Sequence, residues 1–102
     1  MNAGKSTALL QSNHNYIESK LNTLLFIPGE VESDGYIISR IGLKKKAIIA
    51  NKKYNFYKEI INRSNKNISC IFVDEAQFLS KIQVRQLAKI ADTKNIPVMC
   101  YG

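Results

Sequence analysis

The 102-residue chain carries 15 lysines and arginines against eight acidic residues, a formal net charge of +7, and 45% of its residues are hydrophobic. This apolar content argues against disorder, the length allows at most one domain, and no apolar run approaches the roughly 20 residues that a membrane span needs. The N-terminus shows no signal-peptide pattern, so we expect one cytoplasmic domain with no membrane partner.

The positive charge is concentrated in the middle of the chain, where residues 40–66 hold nine lysines and arginines and one acid. A nucleic-acid groove is one interpretation, but no pattern of arginines interleaved with aromatic residues accompanies the charge. We favour a solvated, lysine-rich surface and expect no nucleic-acid partner.

The two cysteines, Cys70 and Cys100, each lie within an apolar run. We therefore predict two buried free thiols, because a disulfide is unexpected in a cytosolic protein. The chain contains no C-x-x-C pair, so no zinc site is predicted from these residues alone.

The first seven residues contain the back half of a phosphate-binding loop pattern, G-x-x-x-x-G-K-[ST], in which Gly4, Lys5 and Ser6 match the last three positions. In such a loop, backbone N–H groups surround the phosphate oxygens, the lysine reaches the β- and γ-phosphates, and the hydroxyl binds Mg²⁺. The leading glycine and the strand that feeds the loop would precede Met1. We therefore expect a nucleotide-phosphate site with an incomplete scaffold.

Hydrophobic periodicity predicts an alternation of helices and strands, which favours an α/β fold with a mostly parallel sheet. The predicted helices span about residues 4–21, 54–63 and 81–92, the last of them opened by a capping box of Ser80 and Gln83. The predicted strands and extended pieces span residues 22–27, 37–42, 47–50, 68–73 and 96–101. Residues 30–36 are expected to form a mobile acidic loop, 44–46 an exposed stretch, 64–67 a polar turn and 76–79 a loop.

The apolar strand at 68–73 runs directly into Asp74 and Glu75, a pattern typical of a central parallel strand whose tip enters a site. P-loop enzymes hold Mg²⁺ between the loop hydroxyl and a strand-end aspartate, so Ser6 and Asp74 are the predicted metal ligands. Glu75 can accept a proton from water in an ATPase or from a substrate hydroxyl in a kinase, or it is a second carboxylate near the metal. Phe78 packs either on a flat base or in the core.

Four segments taken together, residues 1–11, 39–43, 73–79 and 96–102, resemble the bacterial branch of the cellular-type thymidine kinases. The resemblance covers essentially the whole chain in the right order, and M-x-x-G-K-S-T combined with D-E-x-Q-F is far more specific than either motif alone. It implies a RecA-like, three-layer P-loop NTPase fold. It also implies ATP-dependent phosphorylation of the thymidine 5′-hydroxyl to dTMP, in the salvage route that supplies DNA synthesis.

The resemblance further implies roles for single residues. Those that match its ATP- and phosphate-binding positions are Ala3, Gly4, Lys5, Ser6, Thr7 and Arg40. Asp74 matches the family's metal-binding aspartate and Glu75 its general base, so that Glu75 and Lys5 are the implied catalytic residues. Met1 and Phe78 match side chains that line the thymine pocket.

Three parts of that family's pattern lie outside this sequence: the first strand, the thymidine-contacting segment after Gly102, and a zinc-bearing C-terminal subdomain with its lasso loop. We therefore expect residues 1–102 to be a partial nucleoside kinase domain, feeble or inactive when isolated, with an open sheet edge or a gap in the middle of the sheet. Zinc and a homotetramer are expected only of a full-length protein. A small P-loop ATPase and a non-catalytic remnant remain the alternatives.

Overall fold

Both helices and strands are present in the described parts of the chain, which are residues 2–29, 35–63 and 67–102 of the computed structural model. The helices are α1 (Asn2–Glu18), α2 (Phe56–Ile61) and α3 (Lys81–Lys94), and a short 3-10 helix spans Ala76–Phe78. The strands are β1 (Asn22–Pro28), β2 (Tyr36–Ile38), β3 (Lys44–Lys46), β4 (Ile48–Ala50), β5 (Ile68–Val73) and β6 (Val98–Cys100). The predicted α/β class is confirmed.

Four of the strands form a parallel sheet in the order β4-β1-β5-β6. The last four residues of β5 are all buried, as expected of a strand that is covered on both faces. Neighbouring strands in this order are hydrogen-bonded to each other, so the described sheet lacks the gap that was expected as one possibility, and β6 lies at one of its edges. Because the strands are parallel, their C-terminal ends meet at one edge of the sheet.

The sheet separates two hydrophobic clusters, which makes the fold a three-layer α/β/α arrangement. On one face, α1 contributes Leu9 and Leu10 to a cluster with Leu25 and Phe72. On the other face, α2 and α3 pack on the sheet through a cluster that contains Phe26, Phe56, Ile60, Ile71, Val73, Leu87 and Ile90. Neither α1 nor any other helix in the described ranges is long and apolar enough to cross a membrane.

Strands β2 and β3 form a separate antiparallel pair, which the sequence analysis did not predict. The three lysines of β3 are exposed as expected, but they lie in a strand rather than in an unstructured stretch. The hairpin is closed by hydrogen bonds between Ser39 and Leu43, and Gly42 takes the positive φ of 89° that the turn requires. Residues 39–42 of the predicted extended piece at 37–42 therefore form a turn.

The ends of the helices differ from prediction by up to three residues, because local capping decides where they stop. Helix α1 ends at Glu18 rather than near residue 21. Helix α2 is shorter than predicted because the side chain of Asn55 accepts a hydrogen bond from Lys58 N and caps its start. The predicted capping box at Ser80 is confirmed, and α3 continues to Lys94, where Asn95 adopts the left-handed conformation.

Three smaller expectations have different outcomes. Both cysteines are free as predicted; Cys70 is buried, but the prediction that Cys100 is buried is wrong, because it lies on the edge strand β6 and is exposed. Burial raises the pKa of the Cys70 thiol. The predicted loop at 76–79 contains the 3-10 helix. Of the predicted acidic loop at 30–36, residues 30–34 lie outside the described residues, and Tyr36 belongs to β2 and not to a loop. Most of the predicted polar turn at 64–67 also lies outside the described residues.

The central position of β5 gives a direct test of the core. Ile71 is fully buried between α2, α3 and the sheet, whereas Ile82 on α3 is 65% exposed. Removing one methylene in Ile71→Val should lower the free energy of unfolding by about 1 kcal/mol, since the lost contacts leave a small void. The same change in Ile82→Val should shift it by less than about 0.5 kcal/mol. Urea denaturation of both variants followed by circular dichroism measures the difference, and equal effects would contradict the packing described.

Candidate active site

The Ser6 side chain on α1 meets the Asp74 carboxylate, which follows β5 directly, at the C-terminal edge of the sheet. The Ser6 hydroxyl donates to Asp74 Oδ2 at 2.7 Å, and each residue is only 4% exposed. The backbone N–H of Asp74 donates to the carbonyl of Phe26 on the neighbouring strand at 3.0 Å, which fixes the chain at this point. Two residues that are 68 positions apart in sequence thus place a hydroxyl and a carboxylate in one buried polar pair.

The side chain of Lys5 lies at the same edge and is exposed. Its ammonium group donates to the carbonyl of Gly102, the residue that follows β6 by two positions. A Cβ at Gly102 would stand 2.9 Å from the backbone nitrogen of Gln77, so a larger residue does not fit there without a shift. The first turns of α1, the tip of β5 and the end of β6 therefore converge around Lys5.

Residues Ala3 and Gly4 belong to the first turn of α1, which begins at Asn2. The helix therefore starts two residues before the predicted start near Gly4 and includes both residues. The N–H groups of a first helical turn have no partner within the helix and still favour an anion.

The hairpin turn reaches the first turns of α1 at Thr7. The backbone N–H of Arg40 donates to the Thr7 hydroxyl at 3.3 Å, and the Arg40 residue is exposed. Two of the predicted phosphate-site residues, Thr7 and Arg40, therefore lie side by side, and Thr7 directly follows Ser6 in sequence. The contact involves the Arg40 backbone and not its guanidinium.

Glu75 adopts a left-handed backbone conformation, with φ 53° and ψ 41°, which is uncommon for a residue with a side chain. Its carboxylate accepts a hydrogen bond from Gln77 Nε2 at 2.7 Å, and the next residue, Ala76, donates its N–H to the carbonyl of Tyr101 at 2.8 Å. Backbone conformations of this kind cost free energy and are concentrated at functional sites. Gln77 was not among the predicted site residues, although its place in the D-E-x-Q-F motif could have signalled it.

Phe78 ends the 3-10 helix beside the site and is 59% exposed. The alternative that Phe78 is a core residue is therefore wrong, and its backbone N–H donates to the carbonyl of Glu75 at 3.1 Å. Met1, the other residue implied for the base pocket, lies outside the described residues.

The chemistry of the pair formed by Ser6 and Asp74 fits a hard cation. Mg²⁺ prefers oxygen ligands and is usually held by one or two protein groups, with waters and substrate phosphates completing its shell. In the described part of the chain, no group of three or more His, Cys, Asp or Glu residues is placed to hold a metal. Ser6 and Asp74 supply two protein oxygens, a number that suits a Mg²⁺ ion shared with a phosphate ligand.

Comparison with known proteins points to one family. A family model described as thymidine kinase matches residues 1–102. A thymidine kinase of Coxiella burnetii is 49% identical over 100% of this chain and 54% of its own length, and one of Blochmanniella floridana is 50% identical over 100% and 55%. A thymidine kinase of Mesorhizobium japonicum is 47% identical over 100% of this chain and 52% of its own length. The chain thus spans about half the length of the curated relatives it matches.

Proposed function

Because the chain belongs to the thymidine kinase family, we propose that it forms the phosphate-transfer half of an enzyme that phosphorylates the 5′-hydroxyl of thymidine with ATP. The observation that carries the proposal is the buried hydrogen bond between Ser6 and Asp74, with Lys5 at the same sheet edge. Phosphoryl transfer relies mainly on positioning and on neutralising the charge of the phosphates. Lys5 and the N-terminal turn of α1 would supply these effects at one edge of the sheet, together with a bound cation.

Ser6 and Asp74 would hold Mg²⁺ through their side-chain oxygens. When bound, the ion neutralises charge on the β- and γ-phosphates. The first helical turn, with Ala3 and Gly4, directs backbone N–H groups at the phosphates, while Lys5 adds a positive charge. Thr7 and Arg40 complete the phosphate side of the site.

Glu75 would act as the general base. It takes the proton of the thymidine 5′-hydroxyl while that oxygen forms a bond to the γ-phosphorus. The bond between the γ-phosphorus and the oxygen bridging to the β-phosphate breaks, ADP leaves, and dTMP is the product. The hydrogen bond from Gln77 Nε2 at 2.7 Å keeps the Glu75 carboxylate in one orientation at the start of this step.

Met1 and Phe78 would line the pocket for the thymine ring, and the complete protein would be a cytoplasmic homotetramer with a zinc-bearing subdomain. Thymidine and ATP would be its small-molecule partners, with no nucleic acid or membrane partner. Residues 1–102 form one partial domain in this scheme.

Replacing the lysine by methionine tests the proposal, since Lys5→Met keeps the length of the side chain but removes its charge. We expect dTMP formation to fall by about 100-fold or more, because one lost donor to a developing anionic charge typically costs that much. The rate is measured with labelled thymidine and Mg·ATP. Two proteins are assayed: the 102-residue chain, and a chimera in which residues 1–102 replace the matching segment of the Coxiella burnetii relative.

The matched control is Lys81→Met, which removes another exposed lysine charge, at the start of α3. It should leave the rate within a factor of two. Phosphate release without nucleoside would instead favour an ATPase. A chimera that folds but binds no ATP would favour a non-catalytic remnant.

A further inference from the structure

The turn between β4 and α2 is anchored to the N-terminal end of α3 by the side chain of Gln83, which is 2% exposed. Its Oε1 accepts from the N–H of Ser80 at 3.0 Å, and its Nε2 donates to the carbonyls of Asn51 at 2.7 Å and Tyr54 at 3.2 Å. A buried amide that is satisfied in this way fixes the segments it joins relative to each other. Residues 51–54 are therefore held firmly against α3.

Lys52 lies in this anchored turn, and its ammonium group donates to the carbonyl of Phe78 at 2.8 Å. Phe78 is the last residue of the 3-10 helix, whose final carbonyls have no partner within the helix. A lysine that reaches such a carbonyl both satisfies it and restrains the turn. Lys52 thus connects the rigid β4–α2 turn to the segment that carries the exposed aromatic ring.

The contact closes one side of a cleft of about 180 Å³ at the C-terminal ends of β1 and β4. Its walls come from three loops and the start of α3, and the residues that line it are Pro28, Gly29, Ala50, Lys52, Phe78 and Gln83. An aromatic ring that is 59% exposed beside such a cleft is placed to pack against a flat ligand. The orientation of that ring depends on the backbone that Lys52 holds.

We propose that Lys52 is a positioning residue for nucleoside binding, which acts by holding the Phe78 turn and not by touching the substrate. This inference rests on the proposed function, because it requires Phe78 to contact the nucleoside. The contact of Lys52 is with the Phe78 turn, whereas the proposed phosphate-binding residues lie in the first turns of α1 and at Arg40. Loss of Lys52 should therefore weaken the binding of thymidine and leave the binding of ATP and the chemical step unchanged.

The test compares Lys52→Met, which removes the donor, with Lys52→Arg, which keeps a charged donor at similar reach. The matched control is Lys53→Met at the neighbouring exposed position. In the chimera, we expect Lys52→Met to raise the KM for thymidine by about three- to tenfold, the effect of losing one modest hydrogen bond. The KM for ATP and kcat should stay within twofold, and Lys52→Arg should restore most of the thymidine KM.

Hydrogen exchange supplies a second readout in the 102-residue chain, with no ligand present. Amide exchange in residues 76–79 should become faster in Lys52→Met and remain as in the unaltered chain in Lys53→Met. Unchanged exchange and unchanged KM would overturn the inference. So would a parallel rise in both KM values, which would indicate a general structural role.

The two proposals fail in distinguishable ways. If the chimera with unaltered Lys52 makes no dTMP, the proposed function is wrong and the nucleoside role of Lys52 falls with it, whatever the exchange data show. If the chimera makes dTMP but Lys52→Met has the same thymidine KM as Lys53→Met, only the role of Lys52 is wrong.

Discussion

Replacing the buried carboxylate in Asp74→Asn should abolish most Mg²⁺-dependent activity while leaving the fold intact. The amide keeps an oxygen that can accept from Ser6 Oγ, whose hydrogen bond to Asp74 is 2.7 Å long, but it loses the negative charge. Since a metal ion contributes several kcal/mol to stabilising a transition state, phosphoryl transfer in the chimera should fall by about 100- to 1,000-fold. Binding of ATP should also lose its dependence on Mg²⁺.

Stability should not fall with activity in this variant. Asp74 is 4% exposed, and an ionised carboxylate taken out of water costs free energy that a neutral amide of the same shape does not. We therefore expect the Tm of Asp74→Asn to equal or exceed that of the unaltered chain when no metal or nucleotide is present. The opposite directions of the two effects separate a metal-binding role from a packing role.

The measurements are isothermal titration with ATP, with and without Mg²⁺, and a thermal melt of the 102-residue chain. Asp92→Asn serves as the control, because Asp92 is exposed near the end of α3 and far from Ser6 in the sequence. It should change neither the titration nor the Tm appreciably. If ATP bound Asp74→Asn with its full Mg²⁺ dependence, the assignment of this residue as a metal ligand would be wrong.

The parts of the fold that could be predicted from sequence are those in which a segment's own residues determine its secondary structure. Strand β5 has the predicted bounds because its six residues form an almost continuous apolar run, which only a doubly covered strand or a buried helix accommodates. The short length of this run and the two acids that follow it favour the strand over a buried helix. The start of α3 was predictable for a similar reason, since the capping box between Ser80 and Gln83 is a local pattern.

The missed features depend on partners that are distant in sequence. Strand β3 consists of three exposed lysines. Lysine has a low strand propensity, so these residues adopt the strand conformation only because they pair with β2. The exposure of Cys100 depends on β6 lying at a sheet edge, and no pattern within its own apolar run indicates that order. Sheet order is a property of the assembled fold, so periodicity alone cannot supply it.

The candidate site also contains features that could be predicted from sequence and features that could not. The pairing of Ser6 with Asp74 was predictable because a helix start and a strand tip both fall on one edge of a parallel sheet. The left-handed backbone of Glu75 and its hydrogen bond to Gln77 were not, because they arise from the sharp turn that joins β5 to the 3-10 helix. Lys52 escaped notice because a single lysine in a basic stretch carries no sequence signal of its contact with Phe78.

Removing the proposed base in Glu75→Gln should lower kcat in the chimera by about 100-fold or more, with little change in the KM values for ATP and thymidine. Glutamine has the same shape and keeps an oxygen that can accept from Gln77 Nε2, as Glu75 does at 2.7 Å. It cannot take a proton from the 5′-hydroxyl, and a positioned general base typically contributes a factor of about 100 to 10,000. A selective loss of kcat indicates an interaction that is made only in the transition state.

A second change at residue 75 separates the effect of losing the carboxylate from the effect of the left-handed backbone conformation. Glu75 has a φ of 53°, which glycine adopts without a steric penalty, so Glu75→Gly should raise the free energy of unfolding or leave it unchanged while still abolishing the activity. Glu59→Gln on α2 is the control for removing a carboxylate elsewhere, and should leave kcat within a factor of two. Steady-state kinetics and a urea titration measure both quantities. Retention of full kcat by Glu75→Gln would exclude Glu75 as the base. Rapid phosphate release from the unaltered chimera without thymidine would mean that Glu75 takes its proton from water and not from a substrate hydroxyl.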